Sequence, residues 1–369
     1  MTTPPFRADH VGSLLRPPEV LAALDANRNG QMPDAALRAI EDEAIRGAVA
    51  LQESVGLQAV TDGEFRRASF HFDFLGQLEG VEASIRGQMS AVQPAAPGAP
   101  FTPPQLRITG KVRHARPIEA ENFRFVKEAT RKTAKQAIPS PTMLLRGGRA
   151  GVSTEAYPDM EAFFADGAAA FRAEIKALAD AGCTYLQLDD TNFAYLCDAK
   201  MREGLRQRGD DPDEVLRGYT RIVRMALAER PAGMTVCMHV CRGNSASQWA
   251  ASGGYEPVAE AMFNDMPIDG YFLEFDSARA GGFEPLRFVP KGKRVVLGLV
   301  SSKTPALEPK DELRRRIDEA GRYMPSEAMA LSPQCGFASN YRGNAMDVDA
   351  EKRKLALVVE MADEVWGAA

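Results

Sequence analysis

Eight short β-rich segments alternate with helical stretches along 369 residues, which predicts an α/β fold and, within that class, a (β/α)8 TIM barrel. Two further observations support this. Several of the strand candidates are continuous apolar runs, as parallel strands covered on both faces require. Residue types that carry chemistry also fall at the C-terminal ends of those runs, where a barrel gathers its active site. A doubly wound open sheet is the second choice. Residues 1–369 are read as one catalytic barrel domain.

The strand candidates, in order, are 6–11, 58–62, 142–146, 185–189, 235–241, 271–275, 295–300 and 328–332. Between them, apolar residues recur at three- and four-residue spacing over 34–55 and 160–181, the second run ending at Gly182 as a helix C-terminus does. Segments 307–322 and 347–365 repeat the pattern. One stretch breaks the rhythm. Residues 84–118 read as a Pro-rich insertion after the second strand, part loop and part hairpin, leading into 106–113. The loop portion, 84–105, is either a lid over the site or a surface excursion.

Composition narrows the function classes. Hydrophobic residues at 45% and charged residues at 26% are those of a soluble globular protein. A net charge of −5 gives no reason to expect nucleic acid or an anionic membrane as partner. The basic cluster Arg314–Arg316 sits in a helical pattern and reads as a solvated face. The N-terminus lacks the apolar core of a secretory signal, and no apolar run reaches the roughly 18 residues a membrane span needs. Five cysteines, an odd number in a long chain, suggest reduced thiols and a cytoplasmic location.

The most informative residues come late. His239 and Cys241 lie two apart on a strand candidate, so both side chains share a face, with Cys237 one step deeper. Glu274 is embedded among aromatics in Tyr-Phe-Leu-Glu-Phe-Asp, where an unpaired carboxylate would be costly. Cys335 follows the last strand and precedes Gly336. The separations, 33 residues from 241 to 274 and 61 from 274 to 335, match one and two β/α repeats. All four therefore fall at strand ends that a barrel brings together. Two thiolates, an imidazole and a carboxylate suit Zn²⁺, and the carboxylate is the easiest to displace by an incoming thiol. Structural zinc sites draw on closely spaced ligands, whereas these are scattered over the last third of the chain, which favours chemistry. Cys183 and Cys197 read as buried small hydrophobes.

Other strand ends add polar candidates. Asp62 and Glu64 lie in a turn with Arg66 and Arg67, where either acid could hold a substrate ammonium or simply form part of a salt-bridged turn. Asp189 and Asp190 point to opposite faces, one toward the site and one toward a neighbouring loop. His10, Gly12 and Ser13 end the first strand, and Ser13 with nearby N–H groups could take a substrate carboxylate. His71 and His114 have no evident partner.

These residues, from Val11-Gly12-Ser13 through Asp62-Gly63-Glu64, Gln187-Leu188-Asp189 and His239-x-Cys241 to Glu274 and Cys335, resemble the catalytic C-terminal barrel of the cobalamin-independent methionine synthase family. The resemblance spans essentially the whole chain and is with the short, single-barrel members. It implies a (β/α)8 barrel that uses Zn²⁺ to activate a thiol such as homocysteine for methylation. By motif, it implies His239, Cys241, Glu274 and Cys335 as metal ligands, Ser13 on the carboxylate side of the amino-acid substrate, and Glu64 and Asp189 on its ammonium side. The sequence departs from that pattern twice. Where the methionine synthases carry an active-site histidine, it has Ser301-Ser302-Lys303, which puts Lys303 or a serine at the proton-handling position, with Asp189 the other catalytic candidate. Where they carry a folate-stacking tryptophan, it has Arg146. The methyl donor is accordingly a folate, a methylated corrinoid protein or another small methylated compound. Three rival readings are a zinc-dependent epoxide:thiol alkyltransferase of the same family, a non-catalytic zinc- or thiol-binding barrel, and a metal-free decarboxylase of the related uroporphyrinogen fold.

Overall fold

The apolar runs of the sequence become the strands of a parallel sheet. A computed structural model describes residues 3–83, 106–244, 247–341 and 343–367. Among them ten strands occur: β1 Ala59–Val60, β2 Glu79–Ala83, β3 Leu106–Arg113, β4 Thr133–Ala134, β5 Gln136–Pro139, β6 Tyr185–Asp190, β7 Thr235–Val240, β8 Gly270–Glu274, β9 Arg294–Val300 and β10 Met329–Pro333. Six form one sheet in the order β10-β9-β8-β7-β6-β5, every neighbouring pair parallel. Every residue of β5, β6, β8 and β10 is buried, as parallel strands covered on both faces should be.

Both edges of this sheet are extended by further chain. On the β10 side, Asp9 N donates to Leu331 O (3.0 Å) and Leu331 N to Arg7 O (2.8 Å). On the β5 side, β4 pairs in parallel with β1, and Lys135 N donates to Val60 O at 2.8 Å. Eight chain segments thus lie side by side. The outermost two also meet each other: His10 Nε2 lies 3.2 Å from Ala59 O, Thr61 Oγ1 donates to Gly12 O at 2.6 Å, and Leu14 N donates to Gly63 O at 3.0 Å.

Residues from seven of these segments pack into one small apolar cluster, comprising Phe6, Val11, Ala59, Tyr185, Cys237, Phe272, Val296 and Ala330. Beside it lies a fully buried ion pair, Lys135 Nζ to Asp9 Oδ1 at 3.1 Å. The Tyr185 hydroxyl donates to the other Asp9 oxygen at 2.8 Å, and the ammonium sits 4.0 Å from the centre of the Phe272 ring. Such a pair is tolerated in an interior only because every charge is met. The much larger second core lies between the sheet and the surrounding helices.

Those helices follow the sequence periodicity. Asp34–Ser54 and Met160–Asp180 match the 34–55 and 160–181 patterns closely. The second starts where the Asp159 side chain accepts from Glu161 N. Helix Val348–Trp366 begins at Asp347, whose carboxylate accepts from Ala350 N, and ends at Gly367 in the left-handed region (φ 71°). The 307–322 pattern becomes the shorter helix Lys310–Ala320. Arg314 and Arg315 are exposed there and ion-paired with glutamates, as a solvated face should be.

Two strand expectations are corrected. Residues 142–146 do not form the third strand, because Pro141-Thr142-Met143-Leu144-Leu145 turn into a 3-10 helix capped by Ser140, and the strand is β5, just upstream. Proline at the first helical position and a serine cap explain the switch. Residues 6–11 carry a single parallel bridge, Ala8 to Leu331, instead of a full strand. Of the 84–118 span, β3 pairs antiparallel with β2, which precedes the span. The loop 84–105 lies outside the described residues.

Candidate metal centre

Three strands of the parallel sheet place the four metal-binding candidates: β7, its neighbour β8, and β10 on the far side of β9. His239 is the penultimate residue of β7 and Cys241 follows that strand; Glu274 closes β8; Cys335 lies two residues beyond β10. The ligand atoms of His239, Cys241, Glu274 and Cys335 all lie within 4.8 Å of one another, and all four side chains are buried. The Cys241 and Cys335 sulfurs are 3.4 Å apart. Zn–S bonds of about 2.3 Å in tetrahedral geometry put two sulfurs roughly 3.8 Å apart, so the pair is spaced for one ion.

The donor set passes a second test. Both ring nitrogens of His239 are buried and neither meets an acceptor or donor at hydrogen-bond geometry, although the Cys335 sulfur lies close enough to act on the ring. Buried polar atoms are normally satisfied, so an imidazole in this state, between two thiols and a carboxylate, fits a metal ligand. Electrostatics agree. Burial lowers the His239 pKa, but neighbouring Cys335, Asp189 and Glu274 outweigh it and raise the net value. Cys335 is held well below the usual thiol range, first by the bond from the Cys241 thiol and despite burial. Burial and the Cys335 charge push Glu274 up. Negative charge is concentrated here and asks for a cation.

Cationic side chains surround the cluster. Arg242 is fully buried. Its guanidinium donates to the Tyr255 hydroxyl at 2.6 Å and to Gly253 O at 2.8 Å, while its backbone N–H donates to Glu274 Oε1 at 3.1 Å. Arg279 reaches Glu274 Oε2 at 3.3 Å. Lys303 Nζ donates to Gly243 O at 3.3 Å, and its charge lowers the pKa values of Glu274 and Cys335. Arg242 and Arg279 were not singled out from sequence. A basic residue beside a strand end looks like surface until the burial around it is known.

The other candidates flank this centre. Asp189 is the cross-strand neighbour of His239. It accepts from Gln187 Nε2 at 2.7 Å, and burial raises its pKa to about 6 against the lowering influence of His239. Asp190 turns the other way and accepts from Thr142 Oγ1 and Phe193 N, so the predicted split of the two carboxylates holds. Glu64 sits after β1 with φ +61°, and its carboxyl is 3.9 Å from Arg67. Burial pushes it up to about 8 even though Arg67 opposes the shift. Asp62 accepts from Glu64 N at 2.8 Å and shapes that turn. Ser13 Oγ accepts from Ala338 N at 3.3 Å. A Cβ on Gly336 would lie 1.9 Å from Ser13 Oγ, so the residue after Cys335 must be glycine for the two loops to meet.

Residues without a sequence-level role find structural ones. Burial and the Lys135 charge lower His10 to about 4, leaving it neutral. His114 has a partner after all, Glu174 at 2.6 Å. His71 is buried between Phe70 and Phe72, with ring centres 4.3 and 4.0 Å away. Cys183 and Cys197 are buried in the larger core. Arg146 bonds Thr191 Oγ1 at 3.0 Å and the Tyr195 hydroxyl at 3.2 Å.

The model of the cobalamin-independent synthase catalytic domain matches residues 6–364. Among curated proteins, the uncharacterized protein YxjH of Bacillus subtilis is 43% identical, with 98% of this chain and 95% of that protein covered. A methionine synthase of Pyrococcus abyssi is 25% identical over 91% of this chain and 88% of its own length. A solved structure from Listeria monocytogenes, described as a putative vitamin-B12-independent methionine synthase, superposes with TM-score 0.78 at 36% identity, covering 98% of both chains.

Proposed function

The chain belongs to the cobalamin-independent methionine synthase family of methyltransferases, and from that premise we propose that it is a zinc-dependent enzyme transferring a methyl group to a thiol, homocysteine or a close relative, in methionine formation. The observation that carries this reading is the convergence of His239, Cys241, Glu274 and Cys335 ligand atoms within 4.8 Å, with both His239 nitrogens buried and in no hydrogen bond of normal geometry. Zn²⁺ held by these four would lower the pKa of a bound thiol and keep it nucleophilic at neutral pH.

The chain's own residues supply the rest. Asp189 and Glu64 are buried carboxyls that would take the substrate ammonium, whose positive charge would favour their ionised forms. Ser13 would bind the substrate carboxylate, fixing the thiol over the centre. Lys303, beside Glu274 and Cys335, would handle the proton that the thiol gives up. Around them we read the eight adjacent segments as a closed (β/α)8 barrel, supported by the side-chain bonds joining residues 10–12 to 59–61 and by the inner cluster drawn from around the ring. The 84–118 segment is then an insertion after the second barrel strand. Among the described residues no helix is long and apolar enough to cross a membrane. Five unpaired cysteines fit a reducing cytoplasm.

The methyl donor is a folate, a methylated corrinoid protein or a small methylated compound. Zinc-loaded protein should convert homocysteine to methionine with methyltetrahydrofolate or methylcobalamin, detected by mass spectrometry. Consumption of an epoxide by a thiol, with no methylated thiol from any donor, would replace this reading by the alkyltransferase one.

A further inference from the structure

We propose that Arg279 is a positioning residue that takes up the Glu274 carboxylate when a substrate thiolate replaces it at the metal, an inference that rests on the thiol-activating reading above. The two carboxylate oxygens are held from different sides. Oε1 accepts from Arg242 N at 3.1 Å, and Oε2 accepts from Arg279 Nη1 at 3.3 Å. Glu274 has no exposure to solvent, so a carboxylate released from a metal there would be a buried charge with no water to receive it. Such a charge is retained only if a cation is already in place.

Arg279 is built to be in place. Its second terminal nitrogen donates to Asp276 Oδ1 at 3.1 Å. Asp276 Oδ2 in turn accepts from Ser301 Oγ at 3.2 Å, on the loop after β9. The Trp249 ring covers the guanidinium at 4.9 Å, and the side chain of Arg279 is only 9% exposed. The backbone of the turn is anchored separately: Gly253 N donates to Arg279 O at 2.9 Å, and Gly281 packs so closely on Gly254 that an added Cβ would lie 2.6 Å from its Cα. Changing the Arg279 side chain therefore leaves its loop tethered.

The exchange replaces one anion by another. The thiol would give up its proton by way of Lys303, its sulfur would take the place of the carboxylate, and the carboxylate would move off with its full charge. Arg279 stabilises that second state, so it tilts the exchange toward thiol entry without being a ligand. Deleting its charge leaves Glu274 on the metal and weakens thiol entry, whereas zinc binding without thiol is not weakened. A residue that merely supports the fold would lose both together.

The test is zinc K-edge X-ray absorption on zinc-loaded wild type, Arg279→Gln and Arg279→Lys, titrated with L-homocysteine, beside zinc affinity from chelator competition. In the wild type, thiol should raise the sulfur ligands from two to three. Arg279→Gln should need about tenfold more homocysteine or beyond for the same change, the scale of a charged hydrogen bond, with zinc affinity equal or tighter. Arg279→Lys, which keeps the charge, should recover part of the response. Equal homocysteine titrations for wild type and Arg279→Gln would overturn the role of Arg279, and so would Arg279→Gln losing zinc while Arg279→Lys behaves as Arg279→Gln does. No third sulfur in the wild type at any thiol concentration would instead remove the thiol-activating reading itself, and the Arg279 assignment with it.

Discussion

The sulfurs of Cys241 and Cys335 lie 3.4 Å apart although 94 residues separate them in the chain. Nothing local brings them together. The first follows β7 and the second follows β10, and the parallel order β10-β9-β8-β7 sets the two strand ends on the same edge of the sheet. Two thiols meeting there, with a buried imidazole and a buried carboxylate, make a centre whose negative charge is offset by Arg242, Arg279 and Lys303.

Asp189 is proposed as a substrate-binding carboxylate rather than a metal ligand. Asp189→Asn should therefore raise the KM for the thiol substrate by about tenfold or more, because a charged hydrogen bond to the ammonium is lost. The KM for the methyl donor and the zinc content should change little. Steady-state kinetics with each substrate varied in turn would check this, and a change confined to the donor's KM would misplace Asp189.

Lys135 neutralises Asp9 in the interior, and both side chains are fully buried. Lys135→Met leaves the Asp9 carboxylate without its cation, which should cost about 3–5 kcal/mol of stability. The midpoint of urea unfolding should fall accordingly. The double variant Lys135→Met with Asp9→Asn should recover much of the loss, since the uncompensated charge goes with it.

Glu351 makes stability depend on pH in a defined direction. Burial raises its carboxyl from 4.5 to about 8, opposed by the bond from Leu15 N. The folded protein thus holds a proton that the unfolded chain has released between those values. Its contribution is fully present below about pH 4.5 and is lost as pH rises through 8. Glu351→Gln keeps an acceptor for Leu15 N but cannot ionise. Its Tm should be close to wild type at pH 5 and higher than wild type at pH 9; equal differences at the two pH values would contradict the assignment.

Much of this was legible in the sequence, and the reasons are physical. Long amphipathic helices such as Met160–Asp180 announce themselves through periodicity, and buried parallel strands such as β9 through continuous apolar runs. The four clustered side chains were legible because unusual residue types occupied equivalent strand ends. The third strand was misplaced because Ile138-Pro139-Ser140-Pro141 splits one apolar stretch into a strand and a 3-10 turn. Helices such as Pro212–Ala226 and Glu256–Asn264 were passed over, and their starting prolines are N-terminal signals that could have found them. Arg242 and Arg279 could not be told from surface cations, since only the folded chain shows what encloses them.

The most direct test of the central claim is the zinc content of protein purified without added metal, measured by mass spectrometry for the wild type and for Cys335→Ser. One zinc per wild-type chain is expected, with loss of that zinc in a variant that keeps its fold by circular dichroism. A folded wild type without zinc, unable to take it up, or a Cys335→Ser variant that retains both zinc and full activity, would contradict it.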